Sequence, residues 1–417
     1  MLYRLTVVFL VLEFARPQDL LSALAPLRLG ALVTIALGLT LILSRKIDLS
    51  DKQTRLFLAL LVFMALLVPL ADNHYRALMG LKNMFFTFLV YLGIVISIDT
   101  VSKFRRLITL WLGVHLFLAI YGFKSGGRGV GGYFGDENDF AMTVNMIVPY
   151  SFFLAQSEQQ RTRKLLYLGL TGVFALASVI SFSRGGFVGL ITVGLYCWLR
   201  SPKKPRSLAV IVALGLLVSL AAPEGYRERI ESIWSDGTSS GTGEDRWHMW
   251  TVGWKMFLDN PVVGVGQDNF PVRFSDYEGV EGLHGVTRTW RAAHSLYFTL
   301  LPELGLVGAF LFSRMLYFIW KYLAAIRGST PQRFKKDRTT TSTFLPYANA
   351  MEASLWGFLV SSIFISTLYY PNFWVTMGFV VALRRIRGLE LPRTDAETSV
   401  SAKVTRPSAA RKWPRPL

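Results

Sequence analysis

The sequence predicts an all-α, polytopic integral membrane protein with about twelve transmembrane helices and one large periplasmic loop. Three observations carry that expectation. Hydrophobic residues are 52% of the 417-residue chain and charged residues only 17%. The mean hydropathy is +0.38. Apolar runs alternate with short basic clusters along the whole length. A soluble chain of this size would form two or three domains, and a net charge of +18 would then point to nucleic acid. Most Lys and Arg instead lie between apolar runs, where basic residues set topology, so membrane lipids and not nucleic acid are the expected partner. The aromatic content of 14% suits lipid-facing surfaces and interfacial belts. The single cysteine, Cys197, excludes an internal disulfide.

A helix needs about 20 apolar residues to cross a membrane, fewer where neighbours help. The expected spans are 3–14, 29–44, 56–71, 80–98, 104–122, 139–156, 165–182, 186–200, 207–222, 295–320, 347–368 and 371–385. The first has Arg4 ahead of it, like a signal peptide. It lacks a small-x-small cleavage site and ends in Glu13-Phe-Ala-Arg16, so it reads as retained. Twelve spans put both termini on one side, and the segments on that side hold 30 of the 45 Lys and Arg. The chain reads as a bacterial-type inner-membrane protein, and the positive-inside rule places both of its termini in the cytoplasm. The chain divides into helices one to nine (1–222), a periplasmic loop (223–293), helices ten to twelve (294–385) and a disordered basic cytoplasmic tail (386–417).

A 71-residue connection between spans is usually functional or disordered. This one predicts a helix at 224–234, a Gly/Ser/Thr linker at 237–243 and a second helix at 244–258. Thr242-Gly-Glu-Asp245 reads as a capping signal and Asn260-Pro261 as the break. Arg246 shares an i, i+4, i+8 stripe with Trp250, Trp254 and Phe257, on a helix lying on the membrane or against the bundle. An arginine on an apolar stripe either snorkels to headgroups or meets an anion.

The other candidate residues sit on the same side. Arg184 lies in the turn Ser181-Phe-Ser-Arg-Gly-Gly-Phe187, whose glycines would let the backbone approach a ligand and whose arginine could grip phosphate bidentately. His294 opens span ten, after Arg288 and Arg291, where a general base could act. Glu303 follows nine residues on, and Asn138 and Asp139 at the start of span six either support the site or cap the helix. Arg314 and Glu352 are the only candidates for charge in the bundle interior that a transporter would need, both toward the cytoplasmic side. No DxDxDG, HExxH, Cys/His cluster or Walker motif is present, so neither a metal, a cofactor nor an ATP-driven step is expected.

Four pieces in order resemble the O-antigen ligase family, which shares its core region with O-antigen polymerases and protein O-oligosaccharyltransferases. They are Gly135-Asp-Glu-Asn-Asp-Phe-Ala141, Ser183-Arg-Gly-Gly186, Asp245-Arg-Trp with Asn260-Pro-Val-Val-Gly-Val-Gly266, and Ala293-His-Ser-Leu-Tyr297 with Glu303-Leu-Gly305. The spacing from His294 to Gly305 fits the family pattern. Arg184 departs from it, because Val188 stands where the family has leucine. The likeness covers roughly residues 120–380. It implies a metal-independent transfer in lipopolysaccharide biosynthesis, on the periplasmic side. The donor would be a glycan on undecaprenyl pyrophosphate, and the acceptor a hydroxyl of the lipid A–core oligosaccharide. His294 would serve as base, with Arg184, Arg246 and Arg291 on the pyrophosphate. A growing glycan or a protein Ser/Thr is the alternative acceptor. A polysaccharide transporter is the reading from a different class.

Overall fold

A computed structural model of the chain describes residues 1–44, 47, 49–221, 241–279, 283, 290–328 and 338–390. These residues are almost wholly helical, and each of the twelve expected spans overlaps a helix. In chain order the helices are α1 (Leu2–Phe14), the short α2 (Pro17–Leu20), α3 (Leu29–Ser44), α4 (Lys52–Leu67), α5 (His74–Ser97), α6 (Val101–Lys124), α7 (Glu137–Ser157) and α8 (Arg161–Ile180). Then come α9 (Arg184–Arg200), α10 (Lys204–Ala221), α11 (Gly241–Asp259), α12 (Phe270–Glu278), α13 (Tyr297–Gly328), α14 (Arg338–Ser361) and α15 (Pro371–Glu390).

Six helical stretches among the described residues are long and apolar enough to cross a membrane: Ser22–Ser44, Lys52–Leu70, His74–Ser97, Val101–Lys124, Arg161–Ile180 and Tyr297–Gly328. The others fall short for two physical reasons. Some are brief, such as α1 with 13 residues and α9 with 17. Others face protein rather than lipid, so polar residues are tolerated where they find partners. The helix α7 is the clearest case, with Thr143, Asn145 and Ser151 fully buried. Asn372 of α15 donates to the Thr143 hydroxyl (3.0 Å), and Thr171 of α8 donates to Ser151 (2.9 Å). Around this centre α7 packs against α8, α9 and α14, while α15 lies along α5 and α13 along α4. By contrast α3 turns Leu32, Ile35, Leu39, Ile42 and Leu43 outward, as a lipid-facing helix does.

Two expected spans end elsewhere. The span expected at 347–368 is helical only to Ser361, and 362–370 turns back toward α15. The span expected at 295–320 runs from Tyr297 to Gly328, broken inside by Pro302 and by Gly305 at φ 59°. The break has a partner. Residues 261–266 run beside it, with Val265 N–H donating to the Pro302 carbonyl (2.8 Å) and Leu306 N–H to the Pro261 carbonyl (2.8 Å). Helix α13 thus opens where a neighbouring segment re-satisfies its backbone groups, the condition for a broken helix inside a bundle. Gly264 and Gly305 are required there: a Cβ on either would lie 2.4 Å from backbone atoms across the pair, and both have positive φ.

Of the expected loop elements, the second helix forms as α11, starting at Gly241, so Thr242 falls within its first turn. The helix expected at 224–234, His284 and Arg288 lie outside the described residues, as does the tail from 391 onward.

Candidate active site

The His294 loop is held at both ends. Ahead of it, the indole N–H of Trp250 on α11 donates to the Ala293 carbonyl (3.1 Å). Behind it, Leu296 N–H donates to the Ser362 carbonyl (2.8 Å). Between these pins His294 adopts a left-handed backbone, φ 45°, a conformation costing roughly 1–2 kcal/mol for a residue with a Cβ. Trp250 is itself fixed by stacking on Phe298 of α13, with centroids 5.3 Å apart and planes 6° from parallel. Such over-determination is how a strained residue persists at a site of function.

Phe364, in the turn before α15, joins the pieces. The Arg246 guanidinium of α11 lies over its ring at 5.8 Å, and Trp250 lies 6.3 Å from it. Its side chain also abuts Gly185, the residue after Arg184: a Cβ at Gly185 would meet it at 3.2 Å. Two segments distant in sequence (184–186 and 246–250) therefore meet at one aromatic ring, and Trp250 joins the third (293–298) to them through Phe298 and the Ala293 carbonyl. The two glycines of the Arg184 turn serve this packing and not ligand approach. Gly185 admits Phe364, and Gly186 lies against Ala141 of α7 and accepts a bond from Asn145 (2.7 Å).

Arg184 is the first residue of α9, capped by Ser183, whose hydroxyl accepts from Gly186 N–H (2.9 Å) and donates to the Asn138 side-chain oxygen (2.7 Å). Asn138 in turn donates to Asp136 (3.0 Å). The helix cap expected of Asn138 or Asp139 belongs to Asp136, which accepts from the N–H groups of both. Asn138 instead ties the α7 and α9 termini together. Asp139 is buried and accepts from Tyr370 (3.0 Å). Asp136 was not among the sequence candidates, although an acid just ahead of a helical run is an N-cap signal.

The charges crowd. Burial first, then Arg184, holds the Arg246 guanidinium below its ordinary pKa, with Asp136 opposing. His294 is solvent-exposed. Protein mass around it, then Arg246, depresses its pKa below the usual 6.5; Arg291 adds to this while Asp136 and Asp245 oppose. Arg291 also pairs with Asp245 (3.8 Å) and is half-exposed, which leaves it the weakest of the three arginines. Clustered cations beside a helix N-terminus, with an imidazole alongside, make a setting that favours negative charge.

Glu303 holds architecture together. Its carboxylate, 2% exposed, accepts from the N–H groups of Asp268 (2.9 Å) and Phe270 (3.1 Å) and from Tyr369 (2.5 Å). It anchors the start of α12 across the break in α13. The remaining histidines of the described residues are committed elsewhere or stand apart. His248 bonds Glu278 (3.1 Å), His115 bonds the Trp111 carbonyl (2.8 Å), and His74 opens α5. The stripe read on α11 is also split: Phe257 is buried, whereas Trp254 is 47% exposed.

A helical membrane bundle carrying a pinned histidine beside convergent arginines is the class of protein that fold and site define. A family model described as O-Antigen ligase matches residues 169–313, so over that stretch the chain is similar to the O-antigen ligase family. That stretch holds Arg184, Arg246, Arg291, His294 and Glu303 but stops short of the 120–380 that the motifs suggested, leaving Asn138 and Asp139 outside. No curated protein matches the chain.

Proposed function

We propose that this protein is an O-antigen ligase, moving a glycan from undecaprenyl pyrophosphate to a hydroxyl of lipid A–core oligosaccharide at the periplasmic face of the bacterial inner membrane. The observation that supports it best is the closeness of the three charges: Arg184 acts on Arg246, and Arg246, which lies over Phe364, acts on His294. In the reaction the acceptor oxygen bonds the anomeric carbon as the bond from that carbon to the pyrophosphate oxygen breaks. His294 takes the hydroxyl proton, and the departing undecaprenyl pyrophosphate carries the electron pair. Arg184 and Arg246, with Arg291 at the rim, hold that developing charge. The driving energy resides in the glycosyl–pyrophosphate bond, so neither a nucleotide nor a metal enters the scheme.

A growing glycan or a protein hydroxyl as acceptor would use the same clamp and base. A transporter would need charges in line across the bilayer. The described interior charges favour transfer instead: buried Glu352 pairs with Arg327 and Arg200, and exposed Arg314 lies over Tyr317 and Phe318.

A deletion strain tests this reading in the cell. Lipopolysaccharide should lose its long glycan chains while the lipid-linked donor accumulates. Normal lipopolysaccharide in that strain would contradict it. The orientation is tested alongside, by a reporter active only outside the cytoplasm: signal at residue 240 and none at residue 400 is expected, and the reverse pattern would sink it.

A further inference from the structure

Behind the His294 loop lies a cavity of about 320 Å³. Ala292 and Ala293, the two residues before His294, form one wall, and Gly80 and Asn83 of α5 form another. Phe270 and Pro271 add apolar surface, and the polar groups are Asp268, Glu303, Thr299, Ser366, Tyr369 and Tyr370. We infer that this cavity seats one uncharged sugar ring of the acceptor, an assignment that rests on the transferase reading above.

Charge excludes the donor's pyrophosphate from this space. The lining contains two carboxylates and no Lys or Arg, whereas Arg246, with Arg184 acting on it, lies over Phe364, which is not part of the lining. A phosphate would meet Asp268 and Glu303 and be repelled. A pyranose would find what it needs: carboxylate and hydroxyl oxygens to accept from its O–H groups, and hydroxyl and amide donors to return bonds. Tyr369 and Tyr370 add aromatic surface for its C–H faces.

The polar groups are positioned before any ligand arrives. Asp268 is held by Arg76 (3.2 Å) and Glu303 by two N–H groups and Tyr369. The Thr299 hydroxyl donates to the Ser295 carbonyl (2.7 Å) and lies 3.1 Å from the Ser366 oxygen. Glu303 Oε2 is filled by Asp268 N–H and Tyr369, while Glu303 Oε1, the Asp268 carboxylate and the hydroxyl oxygens retain acceptor capacity. Ligand sites run from about 300 to 1,000 Å³, so this volume suits one ring and not a chain.

The cavity adjoins the proposed base from two directions. Ala293 leads directly into His294 and is itself fixed by Trp250. At the other end Tyr370 donates to Asp139, three residues from Asp136, whose carboxylate acts on both His294 and Arg246. A ring seated here would offer a hydroxyl toward the loop while the anomeric carbon waits beside the arginines. Two substrates then enter one reaction from separate compartments, which keeps the acidic acceptor seat away from the donor's charge.

Steady-state kinetics on the full chain in proteoliposomes, with lipid-linked glycan and purified acceptor lipid, test this. Two variants spare the clamp and base: Ser366→Leu, which fills the cavity, and Asn83→Ala, at an exposed position that leaves folding intact. Each should raise the acceptor KM by roughly tenfold, the worth of one lost bond of about 1.4 kcal/mol. The donor KM and the slow hydrolysis of donor by water should not change. Unchanged acceptor KM in both folded variants overturns the assignment, and so does a rise confined to the donor KM, which would make the cavity a seat for the donor's own sugar. Wild-type protein that neither transfers nor hydrolyses the donor overturns the transferase reading itself, and the cavity's role with it.

Discussion

Transfer by the His294→Ala variant should fall by about 10²–10⁴-fold, the usual contribution of a positioned general base, while donor binding stays largely intact. A sugar hydroxyl is a poor nucleophile near neutral pH, so its proton must leave as the new bond forms. The imidazole must be neutral to accept it, and the rate therefore falls as pH drops through the histidine pKa. The surrounding protein and Arg246 hold that pKa below 6.5, which places the acid limb of the wild-type profile below 6.5 as well. Removing the cation in Arg246→Gln should shift that limb upward in the residual activity. Glutamine at position 294 separates the base from a mere positioning residue. It can hydrogen-bond the acceptor but cannot take its proton at neutral pH, so near-wild-type activity in His294→Gln would remove the base and leave only orientation.

Arg184→Ala and Arg246→Ala should each weaken turnover at least tenfold, since a charge-assisted hydrogen bond is worth about 1.5–3 kcal/mol. Arg246 should cost more, because it sits deeper and its guanidinium already lies on Phe364. Lysine would rescue only in part, as it cannot form the bidentate fork. The repulsion between Arg184 and Arg246 adds a second readout. Losing one cation relieves the other in the empty site, so the double variant should lose less than the product of the two single losses. Full activity in both single variants at normal protein levels would make the clamp wrong.

The positions of the helices were legible in the sequence because apolar runs between basic clusters leave few alternatives. What hydropathy alone could not show is that α7 is polar because it is central. Its Thr143 and Asn145 are explained by partners on α15 and α9, which no local pattern reveals. The Arg184 turn was found for a reason the fold revises, since its glycines are spaces for Phe364 and Ala141. Glu303 looked like a second chemical group because an acid in an apolar helix is costly. The structure gives its oxygens to the start of α12 and to Tyr369. Asp136 was passed over because capping and electrostatic roles coincide in one short acidic run. The cavity could not have been foreseen, being assembled from five segments that meet only in three dimensions.

The central claim is that one crevice holds a glycosyl pyrophosphate against a neutral histidine. The most direct test is a reconstituted transfer assay with purified protein in proteoliposomes, undecaprenyl-pyrophosphate-linked glycan and lipid A–core. Wild-type protein should yield one glycan-bearing acceptor for each donor consumed, and His294→Ala and the Arg184→Ala/Arg246→Ala double variant should yield almost none. Transfer by either variant at the wild-type rate, or none by folded wild-type protein, would contradict it.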